Sequence, residues 1–143
     1  MRSQTNSYES MRPYTHTRAT AKITVQNSNA EPYDQTASPA LMEIHLMETF
    51  TGDLDSESPV RALQVLRDDH SASLVSVQRF RGKLGGREGT FVLQGQEVVE
   101  NGKIEATWFV VPGSGTGDLF GLRGEGVRSS QRRGAARLQS WNS

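Results

Sequence analysis

Apolar and polar residues alternate along much of the chain, with the period of a β-strand that buries one face. In residues 19–27, Ala21, Ile23 and Val25 lie on one face and polar side chains on the other. The same alternation, or a run of β-forming residues, predicts further strands at 40–51, 60–67, 72–81, 90–99, 103–111 and around 119–122. The composition of 40–51 and 60–67 also fits a helix, because Leu, Met and Glu favour helices. We predict strands there, because β-type runs precede and follow them.

Turn-forming residues separate these runs. Residues 29–39 contain two prolines and are predicted to be a loop, and residues 52–58 are predicted to be a polar turn. Asn101-Gly102 is the strongest hairpin signal in the chain, and Gly85-Gly86 predicts another hairpin. Short strands joined by such turns are typical of an antiparallel meander. We therefore predict an all-β fold, an antiparallel β-barrel of about eight strands, whose interior is filled by side chains or holds one small ligand.

The end of the chain does not continue this pattern. We divide the sequence into a disordered polar lead (1–17), a β-barrel domain (18–126) and a basic, irregular tail (127–143). The tail lacks the alternation of a strand, so the last strand of the barrel is the doubtful one. A frameshift after Gly126 is one hypothesis for this change of pattern. A barrel without its last strand would keep an open edge, through which a homo-oligomer could form.

Composition and charge narrow the class of protein. The 143 residues suffice for one domain with a core, and the absence of cysteine excludes disulfides and cysteine-based zinc sites. The net charge is zero, but 127–143 carry four arginines and no acid, which leaves residues 1–126 at −4. An acidic body argues against a nucleic-acid-binding barrel. No stretch is apolar enough for a membrane span or a signal peptide, so we expect a cytoplasmic bacterial protein with no nucleic acid or membrane partner.

Three segments resemble a known bacterial family. They are FTGDLDSES (50–58), VQRFRGKLGGREGTFVLQ (77–94) and ATWFVVPGSGTGDLFGLRGEG (106–126). Together they are similar to domain-of-unknown-function family 3224, over about residues 18–126. The resemblance implies a fold like the allene oxide cyclase barrel, a calycin-like antiparallel barrel, and it implies no particular reaction. Family members often carry an acid immediately before the Arg-Phe pair, whereas this chain has Gln78.

The last of these segments is also similar to the corresponding stretch of allene oxide cyclases and dirigent proteins. Those relatives direct the cyclisation or coupling of small molecules bound within a barrel pocket. This resemblance implies a small hydrophobic or amphipathic ligand in the interior. It also implies that any reaction needs no cofactor.

Two residues are candidates for catalysis. Glu48 shares a strand face with Met42, Ile44 and Leu46, where loss of water would raise its pKa and suit a general acid or base. The alternative places Glu48 at the rim of the barrel, in water. Arg79 would bind an anion or carbonyl if it pointed inward, but it lies on the strand face opposite Gln78, so at most one of the two does. The alternative for Arg79 is an exposed cross-strand pair with an acid.

Four residues are candidates for ligand binding. Gln78 and Gln94 carry amides that could orient a ligand, Trp108 could form the floor of a pocket, and Tyr33 could cover the mouth of the barrel. Ordinary packing or exposure is the alternative for each of them. We predict no metal site, because the three histidines lack the spacing of a helical zinc motif. We predict no nucleotide cofactor, because the glycine-rich segment 113–117 is followed by neither the P-loop lysine nor a helix.

Three interpretations of function remain open at this point. The first is a barrel that binds a small organic molecule, as a cofactor-free cyclase or isomerase. The second is a non-catalytic structural or protein-interaction domain with a filled interior. The third is a damaged gene product that folds poorly. The sequence does not decide whether the protein is an enzyme, because fold similarity alone does not define a reaction.

Overall fold

The computed structural model describes the backbone of residues 15–131 and 136–142, and the side chains of residues 18–128. Its elements are β1 (Thr15–Asp34), β2 (Ala40–Gly52), β3 (Leu54–Leu66), β4 (Ala72–Leu84), β5 (Arg87–Glu100), β6 (Lys103–Val110), a 3₁₀ helix (Gly117–Leu119), β7 (Leu122–Gln131) and β8 (Ala136–Asn142). Each strand pairs antiparallel with the next along the chain. The predicted all-β antiparallel fold is confirmed, and the two ambiguous segments are strands. Within the described residues, no helix has the length and apolar character needed to cross a bilayer.

The sheet closes on itself at one end and has a gap at the other. β8 pairs with β7 on one side and with residues 15–21 of β1 on the other, so the order of pairing returns to the first strand. Beyond Ala21, no described strand pairs with β1 on the side opposite β2. Beyond Val127, no described strand pairs with β7 on the side opposite β6. Because residues 22–34 and 128–131 flank this gap, closure into a complete barrel is not confirmed.

The predicted end of the strand pattern at Gly126 is wrong. β7 continues to Gln131, and the backbone of β8 lies within the segment expected to be an irregular tail. β8 has a strand on each side, and main-chain pairing with both neighbours favours an extended conformation even where the side chains do not alternate. The expected open edge is accordingly covered by β8 along residues 15–21.

β1 also departs from the prediction at both of its ends. It begins at Thr15, inside the segment expected to be disordered, and residues 1–14 of that segment lie outside the described residues. It continues to Asp34, although 29–39 was predicted to be a loop. Pro32 is tolerated in this strand because this part of β1 has a described neighbour on one side only, where the missing N–H of proline can face away from the sheet.

Turn chemistry was predicted well at the hairpins and poorly elsewhere. Asn101 and Gly102 both have positive φ, at 53° and 74°, as a two-residue hairpin turn requires, so this prediction is confirmed. The polar turn predicted at 52–58 is wrong, because β3 already begins at Leu54. In that strand small serines alternate with exposed polar residues, which hides its apolar period. The weak strand predicted around 119–122 is instead a 3₁₀ helix followed by β7.

One end of the interior is packed with aromatic rings. The rings of Phe50 and Phe80 meet edge to face at 5.6 Å between centroids, and those of Phe80 and Phe91 stack at 4.5 Å. Such pairs stabilise a core beyond the area that they bury. Leu54 and Leu84 are buried in the same cluster. We call this region, together with the loop 111–121 that covers it, the capped end.

The loop 111–121 is fastened to β5 by a regular set of hydrogen bonds. Backbone N–H groups of residues 88, 90 and 92 donate to side-chain oxygens of Asp118, Thr116 and Ser114. These N–H groups lie beyond the part of β5 that pairs with β6, so the side chains replace a missing strand partner. Leu119 is thereby held in the core, with no exposed surface. The glycine-rich segment therefore closes the capped end.

Candidate functional site

A cluster of polar side chains lies inside the sheet, next to the aromatic cluster, because Glu48 and Gln78 are the neighbouring inward residues of Phe50 and Phe80. Glu48 of β2 lies directly across from Ser58 of β3, and Gln78 of β4 reaches both. The Gln78 amide donates to Glu48 Oε1 at 3.0 Å and to Ser58 Oγ at 2.9 Å. Ser58 Oγ in turn donates to the carbonyl of Arg79 at 2.8 Å. The three side chains are buried and fix one another's orientation.

Arg128 of β7 faces this cluster from across the interior. Its Nη1 lies 3.9 Å from Glu48 Oε2 and 3.9 Å from Glu97 Oε1. Both distances are too long for charge-assisted hydrogen bonds, which measure about 2.7–2.9 Å. The Nε of Arg128 is buried and has no hydrogen-bond partner among the described residues. The guanidinium therefore lies between two carboxylates, and its Nε donor has no acceptor among the described residues.

Burial changes the proton affinity of both carboxylates. Loss of water raises the pKa of Glu48, against the opposing effects of the Gln78 hydrogen bond and the Arg128 charge. Loss of water also raises the pKa of Glu97; Arg128 opposes this rise and the nearby Glu48 adds to it. Both groups therefore hold a proton at a higher pH than an exposed glutamate does. A carboxyl of this kind can act as a general acid or base closer to neutral pH.

The gap between the described strands lies beside this cluster. Val25 lies across from Glu48 in the pairing of β1 and β2, on the same inner face. It is nevertheless 44% exposed, because β8 does not extend along this part of β1. Arg128 belongs to the stretch of β7 on the other side of the gap. We call this region, formed by Glu48, Gln78, Arg128 and Glu97 beside the gap, the open end.

The open end has the groups that a proton transfer requires. One carboxyl with a raised pKa can take or give a proton, and a guanidinium beside it can stabilise a developing oxyanion. The Gln78–Ser58 pair holds the carboxyl in place. Within the described side chains, no group of three or more His, Cys, Asp or Glu is arranged to hold a metal ion. Glu48 and Arg128 together can supply acid–base chemistry and anion binding.

Three of the predicted site residues lie inside the sheet. Glu48 and Gln78 are in hydrogen-bond contact, and the interpretation of Glu48 as a rim residue in water is wrong. Trp108 is buried on the inner face, between Gly95 of β5 and Gly126 of β7. A Cβ at Gly95 would lie 2.6 Å from the indole Cδ1, so the ring packs where this glycine leaves room. Trp108 belongs to the apolar core cluster.

The other three predicted residues lie elsewhere. Arg79 is exposed on the outer face, because the strand turns Gln78 inward, so its interpretation as an interior anion binder is wrong. Gln94 is likewise exposed on the outer face of β5. Tyr33 is 53% exposed near the end of β1 and lines a surface pocket of about 340 Å³ with Leu41 and Val98. These three side chains do not join the cluster around Glu48.

Sequence reasoning missed Arg128 and Glu97. Arg128 belongs to the segment 127–143, which the sequence predicts to be an irregular tail, so no strand pattern places it on the inner face of β7. Glu97 follows the inward alternation of Phe91, Leu93 and Gly95, and this period could have identified it. His45 lies on the exposed face of β2, where its Nε2 is 2.7 Å from Glu43 Oε2.

Comparisons with known proteins support the family resemblance. The family model described as a protein of unknown function (DUF3224) matches residues 19–140, and so extends past Gly126. A crystal structure of a protein with unknown function from the DUF3224 family of Shewanella oneidensis MR-1 is similar, with a TM-score of 0.76 and 31% sequence identity, over 89% of this chain and 96% of that chain. The search of curated proteins finds no match. The chain therefore belongs to the DUF3224 family of proteins of unknown function.

Proposed function

We propose that this protein binds a small organic molecule at the open end, in an interior of the allene oxide cyclase type. The observation that carries the proposal is Arg128, a buried guanidinium whose Nε has no partner among the described residues. A buried polar group without a partner costs about 1–3 kcal/mol, and more for a charged group. A ligand with a carbonyl, hydroxyl or carboxylate oxygen would remove this cost by accepting from Arg128.

The surroundings of Arg128 favour a ligand with a polar head and an apolar body. The head would lie between Arg128, Glu48 and Glu97, where the 3.9 Å separations leave donors and acceptors incompletely paired. Val25 provides apolar surface beside the entrance, and it is partly exposed. Such a ligand would enter a cytoplasmic protein through the gap between β1 and β7.

The proposed reaction is a cofactor-free isomerisation or cyclisation. Glu48 would take a proton from a carbon next to the ligand's carbonyl, while Arg128 stabilises the resulting oxyanion. The same carboxyl would return the proton to another atom of the same molecule. Atoms and charge then balance without a co-reactant. The raised pKa of Glu48 favours both halves of this cycle.

Ligand-observed NMR with a library of small carbonyl, hydroxy and carboxylic compounds tests the binding step. The protein is compared with Arg128→Met and with the matched control Arg123→Met, an exposed arginine on the same strand. We expect compounds that bind the unchanged protein and Arg123→Met and that lose binding to Arg128→Met. Absence of binding, or equal binding to all three proteins, would contradict the proposal.

A non-catalytic domain with a filled interior is the second candidate. The observation that favours it is the capped end, where Phe50, Phe80 and Leu119 have no exposed surface and leave no room for a ligand. In this case Glu48 and Arg128 would only pair with each other. Binding of library compounds that depends on Arg128 would count against this candidate.

A further inference from the structure

The outer face of the sheet carries a group of exposed apolar side chains. They belong to neighbouring strands from β3 to β7: Leu63, Val75, Val77, Phe109 and Val127. They are 41–56% exposed and border a groove of about 760 Å³ on the outer face. Single exposed apolar residues are common on proteins, whereas a contiguous group marks an interaction site. We call this surface the outer patch.

One row of the outer patch is arranged symmetrically. Cross-strand pairing places five residues side by side across five strands: Arg61, Val77, Gln94, Phe109 and Glu125. Gln94 is at the centre, with an apolar residue on each side of it. Beyond these come Arg61 at one end and Glu125 at the other. Since strands are about 4.8 Å apart, each charge lies roughly 10 Å from Gln94.

We propose that a second copy of this chain docks on the outer patch, around a two-fold axis through Gln94. A two-fold interface brings one surface against itself, so each end of the row meets the opposite end of the partner's row. Arg61 then faces the partner's Glu125, and Glu125 faces the partner's Arg61. Val77 packs on the partner's Phe109 at both places.

Charge complementarity selects a second copy over other occupants. No described side chain forms an ion pair with Arg61 or with Glu125, so both charges are available to a partner. Because Arg61 and Glu125 have opposite charges and lie at equal distances from Gln94, the row is complementary to a second copy of itself. A different protein would have no need to carry this matching arrangement of charges. An amide at the centre also suits a two-fold axis, because each Gln94 can donate to the other's carbonyl oxygen.

This interface differs from an edge-to-edge dimer. It uses a sheet face made by β3 to β7, whereas the stretch of β1 beyond Ala21, which has a described neighbour on one side only, lies outside the row. It also leaves the open end accessible. The dimer is therefore independent of the proposed ligand site, and either can be wrong without the other.

Sedimentation velocity of the full-length protein, combined with charge reversal, tests the proposal. We expect the unchanged protein to dimerise. Arg61→Glu and Glu125→Arg should each weaken the dimer at least tenfold, because each variant puts two pairs of like charges across the axis. Lys22→Glu, which changes an exposed charge on β1 away from the row, is the matched control and should leave the dimer intact.

Mixing the two variants gives the sharpest result. A heterodimer of Arg61→Glu with Glu125→Arg has opposite charges at both contacts, so the mixture should dimerise again and show both masses in native mass spectrometry. Circular dichroism of each variant alone checks that it is folded. A monomeric unchanged protein, dimers that survive either reversal, or a mixture that stays monomeric would overturn the proposal.

Discussion

The capped end and the open end are formed by the same strands but by opposite kinds of side chain. At the capped end, Phe50, Phe80 and Phe91 fill the space between strands, and a loop closes over them. At the open end, Glu48 and Arg128 are buried without complete pairing. Buried ion pairs are often no more stabilising than apolar residues of similar volume. The difference indicates that the capped end provides stability, and it supports the proposal of a ligand site at the open end.

The largest expected effect is at the capped end. Phe80→Ala removes the ring that contacts both other phenylalanines, and it should lower the free energy of unfolding by about 3–5 kcal/mol. Phe120→Ala, at a side chain that is 86% exposed, is the control and should change it by less than about 0.5 kcal/mol. Chemical denaturation measures both. Similar losses for the two variants would contradict the assignment of stability to this cluster.

A smaller loss is expected where Trp108 packs on the sheet. In Gly95→Ala the new Cβ would collide with the backbone carbonyl oxygen of Thr107 and would lie 2.6 Å from the indole Cδ1 of Trp108, so the free energy of unfolding should fall by about 1–3 kcal/mol. At Gly86 no atom lies within 4 Å of an added Cβ, so Gly86→Ala is the matched control. Thermal or chemical denaturation compares the two. An unchanged stability for Gly95→Ala would contradict this close approach of β6 to β5.

Each hydrogen bond between the loop 111–121 and β5 should contribute about 1 kcal/mol to the free energy of unfolding. Thr116→Val removes the acceptor for the Thr90 N–H and also the hydrogen bond between the Thr90 and Thr116 hydroxyls, while keeping the shape of the side chain. We expect the free energy of unfolding to fall by about 2 kcal/mol, with faster hydrogen exchange at residues 88–92. Thr24→Val, at an exposed position on β1, is the control. If exchange on β5 stays the same, the loop does not act as a substitute for a strand.

The open end should make the free energy of unfolding depend on pH. The raised pKa of Glu48 means that the folded protein holds this proton more tightly than the unfolded chain does. As pH rises above the ordinary value of 4.5, the unfolded chain loses its proton first, so the free energy of unfolding falls until the folded carboxyl has also ionised. Glu48→Gln removes this contribution. The free energy of unfolding of the variant should therefore increase relative to that of the unchanged protein as the pH rises.

Denaturation at a series of pH values measures that divergence. The raised pKa of Glu97 also lowers the free energy of unfolding as the pH rises, so Glu48→Gln should still show part of this decrease. Glu57→Gln, on the exposed face of β3, is the matched control. A difference between Glu48→Gln and the unchanged protein that is constant with pH would contradict the raised pKa.

The period of the sequence was sufficient to predict most of the fold. Alternation and hairpin glycines gave the central strands β4 to β6 nearly at their observed bounds, because local pattern and tertiary pairing agree there. β8 could not be predicted, since its extended backbone depends on two neighbours that are distant in sequence. Pro32 likewise lies in a strand because that stretch of β1 has a described neighbour on one side only.

The candidate site was predicted in part. Glu48 was identified because it shares a face with apolar residues, and the structure places it inside. Arg128 could not be found once the domain was expected to stop at Gly126. The choice between Gln78 and Arg79 needed knowledge of which face of β4 is the inner one, and adjacent residues on a strand do not settle this locally.

The most direct test of the account is a chemical-shift map of the ¹⁵N-labelled protein, titrated with the best-binding compound of the library. The account predicts that shifts concentrate on backbone amides around Val25, Glu48, Gln78 and Glu97, with the loop 111–121 unaffected. Shifts confined to the outer patch around Val77 and Phe109, or to the capped end, would contradict the claim that the open end is the functional site.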